Sequence, residues 1–348
     1  MVFSTGIALL ASVYPPAERG KVLGINVAVI HLGLSLGPTI GGILTQNLGW
    51  RSVFILCFIL QLPALLLLFT KIKGEWAEAK GQKFDVIGSI LFCIMLFAIV
   101  YGFSLLPTTS GIWTISIGII GLIIFIIWEQ KIESPIFDIH LLTKNRLFAF
   151  SNIAQIMYHI AIFSITFILS LYMQYIKGLS PQNAGFVLLA QPVIQVVLSP
   201  IAGRVSDKIQ PRITASLGLV AVLGAILLLL HETEVASLSS IIIGLVLLGS
   251  GAAFFGTPNT SAIMNCVEKK YYGVASAIDS TARNVGQTFS MGVVMLLFSL
   301  YMGTAQVTPE HYTAFLESIR MAFVIFAGLS FCSMIISVLR GKLVSMQE

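Results

Sequence analysis

The run KVLGINVAVIHLGLSLGPTIGGILT, Lys21 to Thr45, decides the fold. From Val22 onward it holds no Asp, Glu, Lys or Arg, and it exceeds the roughly 20 apolar residues that carry a helix across a bilayer. Nine further apolar stretches follow, near residues 52–70, 86–106, 112–128, 147–176, 184–203, 212–231, 238–259, 273–302 and 319–340. A shorter one, Val2 to Val13, precedes it and is about half a crossing long. In lipid every backbone polar group must be satisfied internally, so long unbroken apolar runs mean helices, whereas a barrel needs short alternating strands. The chain therefore reads as an all-α polytopic membrane protein with ten full spans and one partial N-terminal span. It also reads as beginning partway through a helix.

Composition agrees. Soluble domains carry about 25% charged residues; this chain carries 10%, with 57% hydrophobic residues and a mean hydropathy of +0.94. The net charge of +5 is a matter of topology. Threading the spans alternately puts all but four of the 20 basic residues on one side; Arg51, Lys177 and Arg320 fall on the other and Arg283 falls within a span. The positive-inside rule makes the basic side cytoplasmic, with the C-terminus there too, in a multi-pass cell (plasma or inner) membrane protein. This distribution argues against a nucleic-acid surface. Cys57, Cys93, Cys266 and Cys332 form no CxxC pair and no metal spacing with histidine, so neither metal nor cofactor is expected. Met1 leads into apolar sequence without a basic n-region, so membrane entry is expected to rely on the later spans. The chain has no P-loop, zincin or GxSxG pattern and is not expected to be an enzyme.

The loops are short. The longest hydrophilic insert, KIKGEWAEAKGQKFD (Lys71 to Asp85), and a second basic connection, Glu129 to Arg146, flank a hairpin of two spans. These two spans are almost devoid of polar side chains, which suits a peripheral, lipid-facing position. An internal echo links two helix entries: ERGKVLGINVAVIHLGLS (Glu18 to Ser35) can be laid on KYYGVASAIDSTARNVGQT (Lys270 to Thr288) with Gly20 on Gly273. Gly33 then falls on Gly286, His31 on Asn284 and Asn26 on Asp279. Such an echo suits a transporter of two related halves with substrate at their interface.

The sharpest motif lies within the opening run: HLGLSLGPTIGG, His31 to Gly42. Gly33, Gly37 and Gly41 stack at four-residue spacing, with Gly42 alongside, making a flat face that another backbone can approach. Pro38 frees a carbonyl and favours a kink. G-x-x-x-G-P-x-x-G-G resembles the antiporter signature in the fifth helix of the major facilitator superfamily. Gly49-Trp50-Arg51, Phe54 and Pro63 resemble the segment at its sixth helix, and Pro16 to Gly20 resembles the loop before its fifth. Gly203 to Arg212, GRVSDKIQPR, is similar to the family's G-x-x-x-D-[RK]-x-G-[RK]-[RK] loop at Gly203, Asp207, Lys208 and Arg212; Gln210 and Pro211 depart from it. Two extra spans between six-helix halves are typical of the 14-helix drug:proton antiporter branch. The resemblance implies that residues 1–70 are the remnant of an N-terminal half (helices four to six), with the first three helices absent. Residues 71–146 would then be linkers plus the extra hairpin, and residues 147–348 the C-terminal six-helix half.

Polar groups inside spans cost energy unless paired or wet, so they mark pathways. Asp279 and Arg283 are one helical turn apart and can pair, serving either as a gating or proton-linked pair or as a structural ion pair. Asp207 and Arg204, on what reads as a cytoplasmic loop, are candidates for latching a two-state rocking motion, or for a solvated loop that sets topology. Asn152, Gln155 and His159 form one helical stripe, and Gln191 and Gln195 another; amides and a ring suit an amphipathic cargo, but also suit interhelical hydrogen bonding. No carboxylate pair is expected within a span, and Asp279 is the one carboxylate placed there. The reading is a secondary active transporter, proton-coupled, exporting drugs or other amphipathic, lipophilic or cationic small molecules by alternating access. Its alternatives are a narrow-specificity metabolite transporter and a truncated fragment without transport of its own.

Overall fold

The computed structural model describes residues 2–71, 85–132, 143, 145–231, 237–303 and 307–341, and every contact or absence below refers to these. They fold into helices and turns, with no strand among them. The helices are α1 (Val2–Val13), α2 (Pro16–Leu48), α3 (Arg51–Lys71), α4 (Val86–Ser104), α5 (Thr109–Glu129), α6 (Arg146–Ile162), α7 (Ile165–Tyr175), α8 (Pro181–Leu188), α9 (Ala190–Lys208), α10 (Pro211–His231), α11 (Leu238–Asn265), α12 (Tyr272–Met302) and α13 (Tyr312–Leu339). Nine stretches among the described residues are long and apolar enough to cross a membrane, and α2, at 33 residues, has the length as well.

Helix starts follow local chemistry. Asp85, Thr108, Asn145, Ser180 and Ser237 each accept a backbone N–H of the first turn of α4, α5, α6, α8 and α11. A side-chain oxygen there replaces the hydrogen bond that the helix itself cannot supply. Two spans that read as single helices are broken. The 147–176 stretch turns at Phe163 and Ser164, between α6 and α7, and the freed Ser164 N–H donates to Ser290 Oγ of α12 at 3.0 Å. The 184–203 stretch breaks after Leu188, because the ring of Pro192 collides with the carbonyl four residues back. Hydropathy reports only length and polarity, so it runs through both breaks.

In lipid, helices associate by close packing rather than by hiding oil from water, so small residues sit where backbones cross. α10 packs on α11, α9 on α2 and α11, and α6 on α12 and α13. At the α10–α11 crossing a side chain on Gly251 would stand 2.6 Å from the Gly218 carbonyl oxygen. The main apolar core lies among α6 to α13 and includes Leu219, Val222, Leu245, Phe255, Phe315, Phe323 and Phe326. A second cluster joins α1 and α2 to α6, α11 and α12 at the end of the bundle that carries the basic loops. α4 and α5 zip together through Gly102, Gly111 and Gly118, and Phe103 of α4 lays its ring over Gly292 and against Phe289 of α12, with centroids 4.4 Å apart. α3 rests on α2, and none of its apolar window is buried among the described residues.

Candidate functional site

α12 supplies the centre of the site. Asp279 and Arg283 pair at 3.3 Å, as their one-turn spacing predicts. Asp279 is fully buried, and Thr260 Oγ1 of α11 stands 3.4 Å from the same carboxylate oxygen. One turn further on, Gly286 admits α6: a side chain there would meet the Ile156 carbonyl oxygen and His159 Cβ at 2.7 Å. The Tyr158 ring lies tilted against that of Phe255 of α11, with centroids 4.3 Å apart.

α6 presents the predicted stripe, and the structure turns much of it into helix–helix contact. Asn152 Nδ2 donates back to the Phe148 carbonyl at 2.9 Å. Gln155 Oε1 accepts from Asn259 Nδ2 of α11 at 3.1 Å, and both residues are buried. His159 Nδ1 lies 2.9 Å from the Gln155 carbonyl oxygen, which assigns its proton to Nδ1. Gln191 Oε1 of α9 accepts from Thr166 Oγ1 of α7 at 3.2 Å, and Gln195 is buried one turn further along α9.

Arg340, which the sequence counts among the loop charges, is 1% exposed. It donates to Asn259 Oδ1 at 2.7 Å and to Ser151 Oγ at 3.3 Å, and its Nε and Nη2 have no hydrogen-bond partner. Asn259 and Thr260, neighbours on α11 just after Pro258, thus join two buried charges, Arg340 just past the end of α13 and Asp279 on α12. The signal for Arg340 is the spacing Ser330, Ser333, Ser337, Arg340, which keeps one helical face; all three serines are fully buried. Two further carboxylates meet at the ends of the added hairpin, just outside the predicted spans 86–106 and 112–128. The antiparallel α4–α5 hairpin brings Asp85 and Glu129 together beside Gly88, with Glu129 only 3% exposed and Asp85 accepting from Trp128 Nε1 at 3.1 Å. They lie 44 positions apart, so their meeting depends on the hairpin.

Gly203 to Lys208 is not a loop: α9 runs through Lys208, because its last turns are packed on α2. Asp207 accepts the Gly20 and Lys21 N–H groups near the start of α2 at 2.9 and 3.0 Å, while Arg204 is exposed. The close approach on α2 falls at Gly20 and Gly24 rather than along the antiporter-motif stripe. A side chain on Gly24 would stand 2.5 Å from the Ser199 carbonyl oxygen, and one on Gly203 would collide with the Gly20 carbonyl. Gly33 and Gly41 have open space around them; the side-chain surroundings of Gly37, Pro38 and Gly42 lie outside the described residues, although α2 continues through all three. Spacing shows that a face is flat, whereas the α9 crossing decides which flat face is used.

Known proteins share this architecture. A solved structure of the human organic anion transporter MFSD10 (TETRAN) aligns with a TM-score of 0.64 at 13% identity, over 96% of this chain and 67% of that one. The riboflavin transporter RibZ of Clostridioides difficile is 29% identical over 343 residues, 97% of this chain and 74% of the relative. The multidrug resistance protein Stp of Mycobacterium tuberculosis is 28% identical over 302 residues, covering 83% of this chain but 55% of that protein. The lincomycin resistance protein LmrB of Listeria monocytogenes is 29% identical over 327 residues, 90% and 68% of the two chains. The chain thus spans between about half and three quarters of the length of these curated relatives. The profile of the Major Facilitator Superfamily matches residues 1–134 and 152–343, and together with the multi-span helical bundle this makes the chain a member of that superfamily.

Proposed function

We propose that this chain forms the greater part of a secondary active transporter that moves amphipathic small molecules across the cell membrane, exporting them in exchange for protons. Residues 1–70 belong to one half of an alternating-access bundle and residues 147–348 to the other, with residues 71–146 carrying the added hairpin. The basic end faces the cytoplasm. The observation that carries the reading is the pairing of fully buried Asp279 with half-buried Arg283 on a spanning helix. A carboxylate in a membrane helix is retained at a cost, and proton relays are a common reason. Protonation of Asp279 releases its hold on Arg283, and the freed guanidinium is a charge that a rocking motion can redirect. Asp207, bonded to two N–H groups near the start of α2, latches the halves in the state observed. Relatives named for resistance to several drugs and to lincomycin support an amphipathic cargo.

The test uses everted vesicles or proteoliposomes loaded with a fluorescent lipophilic cation. An imposed proton gradient should drive movement of the dye, and a protonophore should stop it. Asp279→Asn should lower gradient-driven transport at least tenfold, of the order expected for loss of a proton-transfer group. Undiminished transport by Asp279→Asn sinks the proton-linked role, and insensitivity to the protonophore sinks proton coupling altogether. A second reading has support of its own: the relative matched over 97% of this chain is named for riboflavin. Narrow competition by riboflavin, with no effect of unrelated dyes, selects a metabolite transporter instead.

A further inference from the structure

α13 ends in a cation that the bundle takes inside. Arg340 follows Leu339, the last residue of α13, and is buried. Its Nη1 is spent on Asn259 Oδ1 and Ser151 Oγ, at 2.7 and 3.3 Å. Its Nε and Nη2 have no hydrogen-bond partner, and no carboxylate pairs with it among the described residues. Those two N–H groups form one edge of the planar guanidinium, the fork that matches two oxygens of a phosphate or a carboxylate. A buried charge with donors unmet is costly, so this edge calls for an oxyanion.

A second cation stands beside it. Ser216 of α10 and Ser337 of α13 are in hydrogen-bond contact at 3.0 Å, on helices that run in opposite directions. One turn nearer the basic end, α10 carries Arg212 and α13 leads to Arg340, and the two charges are close enough to act on each other. Burial pulls the Arg340 guanidinium down to about 10, and the Arg212 charge pulls the same way, so Arg340 remains a cation at neutral pH. The nearby Cys266 thiol is pushed up to about 12 by burial and supplies no negative charge. Arg212 is also the second residue of a 21-residue helix, whose N-terminal N–H groups add positive potential. Next to Arg340, Gly341 turns the chain at φ +93°, with open space where a side chain would be. From the two arginines toward the membrane, the helices expose Ile213 and Leu217 on α10 and Ile335 and Val338 on α13.

We propose that Arg340 and Arg212 form a site for the phosphate of an anionic phospholipid, seated at the α10–α13 corner on the basic end of the bundle. The phosphate enters past Gly341 and takes the Nε–Nη2 edge of Arg340 in two parallel hydrogen bonds, while Arg212 supplies the second charge. The acyl chains lie along the exposed apolar side chains of α10 and α13. Basic pockets between membrane helices at such a surface hold anionic headgroups, and a carboxylate from water lacks the chains that this apolar surface takes up. The bound phosphate completes the hydrogen bonds of a side chain that already ties α6 to α11 through Ser151 and Asn259, so it braces the cluster from the membrane side. The site needs neither the cargo nor the coupling proposed above.

The test titrates the purified chain in detergent with phosphatidylglycerol, phosphatidylcholine or inorganic phosphate. Native mass spectrometry reads the bound ligand, and the melting temperature is followed alongside. Phosphatidylglycerol should bind the parent about fivefold or more tighter than phosphatidylcholine, the share of a basic residue at an anionic surface, and should raise its melting temperature. Arg340→Met should lose most of that preference while melting no lower than the parent in lipid-free detergent, which separates lost binding from lost folding. Arg212→Gln should weaken the preference as well. Arg340→Lys keeps the charge without the fork and should fall between, and it carries the test if Arg340→Met does not fold. Lys131→Gln, an exposed cation at the same end, should keep the full preference. Equal binding of the two lipids, an undiminished preference in Arg340→Met and Arg340→Lys, or an equal loss in Lys131→Gln overturns the site. Saturation by inorganic phosphate at lower concentration than by phosphatidylglycerol, abolished in Arg340→Met, overturns the lipid as the ligand and assigns a free phosphate.

Discussion

Asn259 shows how one residue can hold two charges in place. Its amide takes Arg340 on one side and gives to Gln155 and Ser151 on the other. Asn259→Ala removes the acceptor at 2.7 Å from a guanidinium that already has unmet N–H groups. We expect it to destabilise the detergent-solubilised chain by about 2–3 kcal/mol, the scale of a hydrogen bond to a charged group. Thermal unfolding should show the loss. Arg340→Met tests the same cluster from the other side: an apolar group of similar length removes the buried charge along with its bonds, and stability should change little or rise. A large loss in Arg340→Met would mean that Arg340 has a partner beyond Asn259 and Ser151.

At the scale of elements, the glycines of α2 divide into two classes that the sequence does not distinguish. Gly20 and Gly24 are pressed against α9, whereas Gly33 and Gly41 face open space. Gly33→Ala should therefore be neutral or stabilising by up to about 1 kcal/mol through helix propensity. Gly203→Val, which drives a side chain into the Gly20 carbonyl, should cost more than about 2 kcal/mol, the penalty of overpacking. Melting temperatures of the two variants side by side decide this, and equal values would mean that the α2–α9 crossing is looser than described. The hairpin makes a different kind of contact. α4 and α5 zip to each other through glycines, and α4 meets α12 where Phe103 covers Gly292. Phe103→Ala should speed hydrogen exchange in α4 and α5 while leaving α10 and α11 protected, because the two regions share little packing.

For the whole molecule, the distribution of charge makes a prediction of orientation that can be tested directly. If the basic end is cytoplasmic, a protease-cleavable tag placed after Glu348 should survive on intact cells and be cut in inside-out vesicles. The reverse pattern would invert the threading. The cluster of Ile7, Leu23, Phe148 and Met264 packs α1 and α2 against α6 and α11 at that same end.

Much of this was legible along the chain, and the division has a physical cause. Span length, helix type, the α1 segment Val2–Val13 and the Asp279–Arg283 pair follow from the sequence, because hydropathy and one-turn spacing are local quantities. The antiporter-like motif and the helix-entry echo were readable too, since both are patterns in order. The breaks before Ile165 and after Leu188 were not, because a helix interrupted within lipid keeps its apolar composition. Nor were the burial of Arg19, Arg340 and Glu129, which look like loop charges until neighbours from distant parts of the chain cover them. Asn152 and Gln155 read equally well as cavity lining or as hydrogen-bonding contacts between helices, and only the position of α11 turned Gln155 toward Asn259. Periodicity names the face of a helix that is polar or small; which helix lies against that face is a property of the assembled bundle.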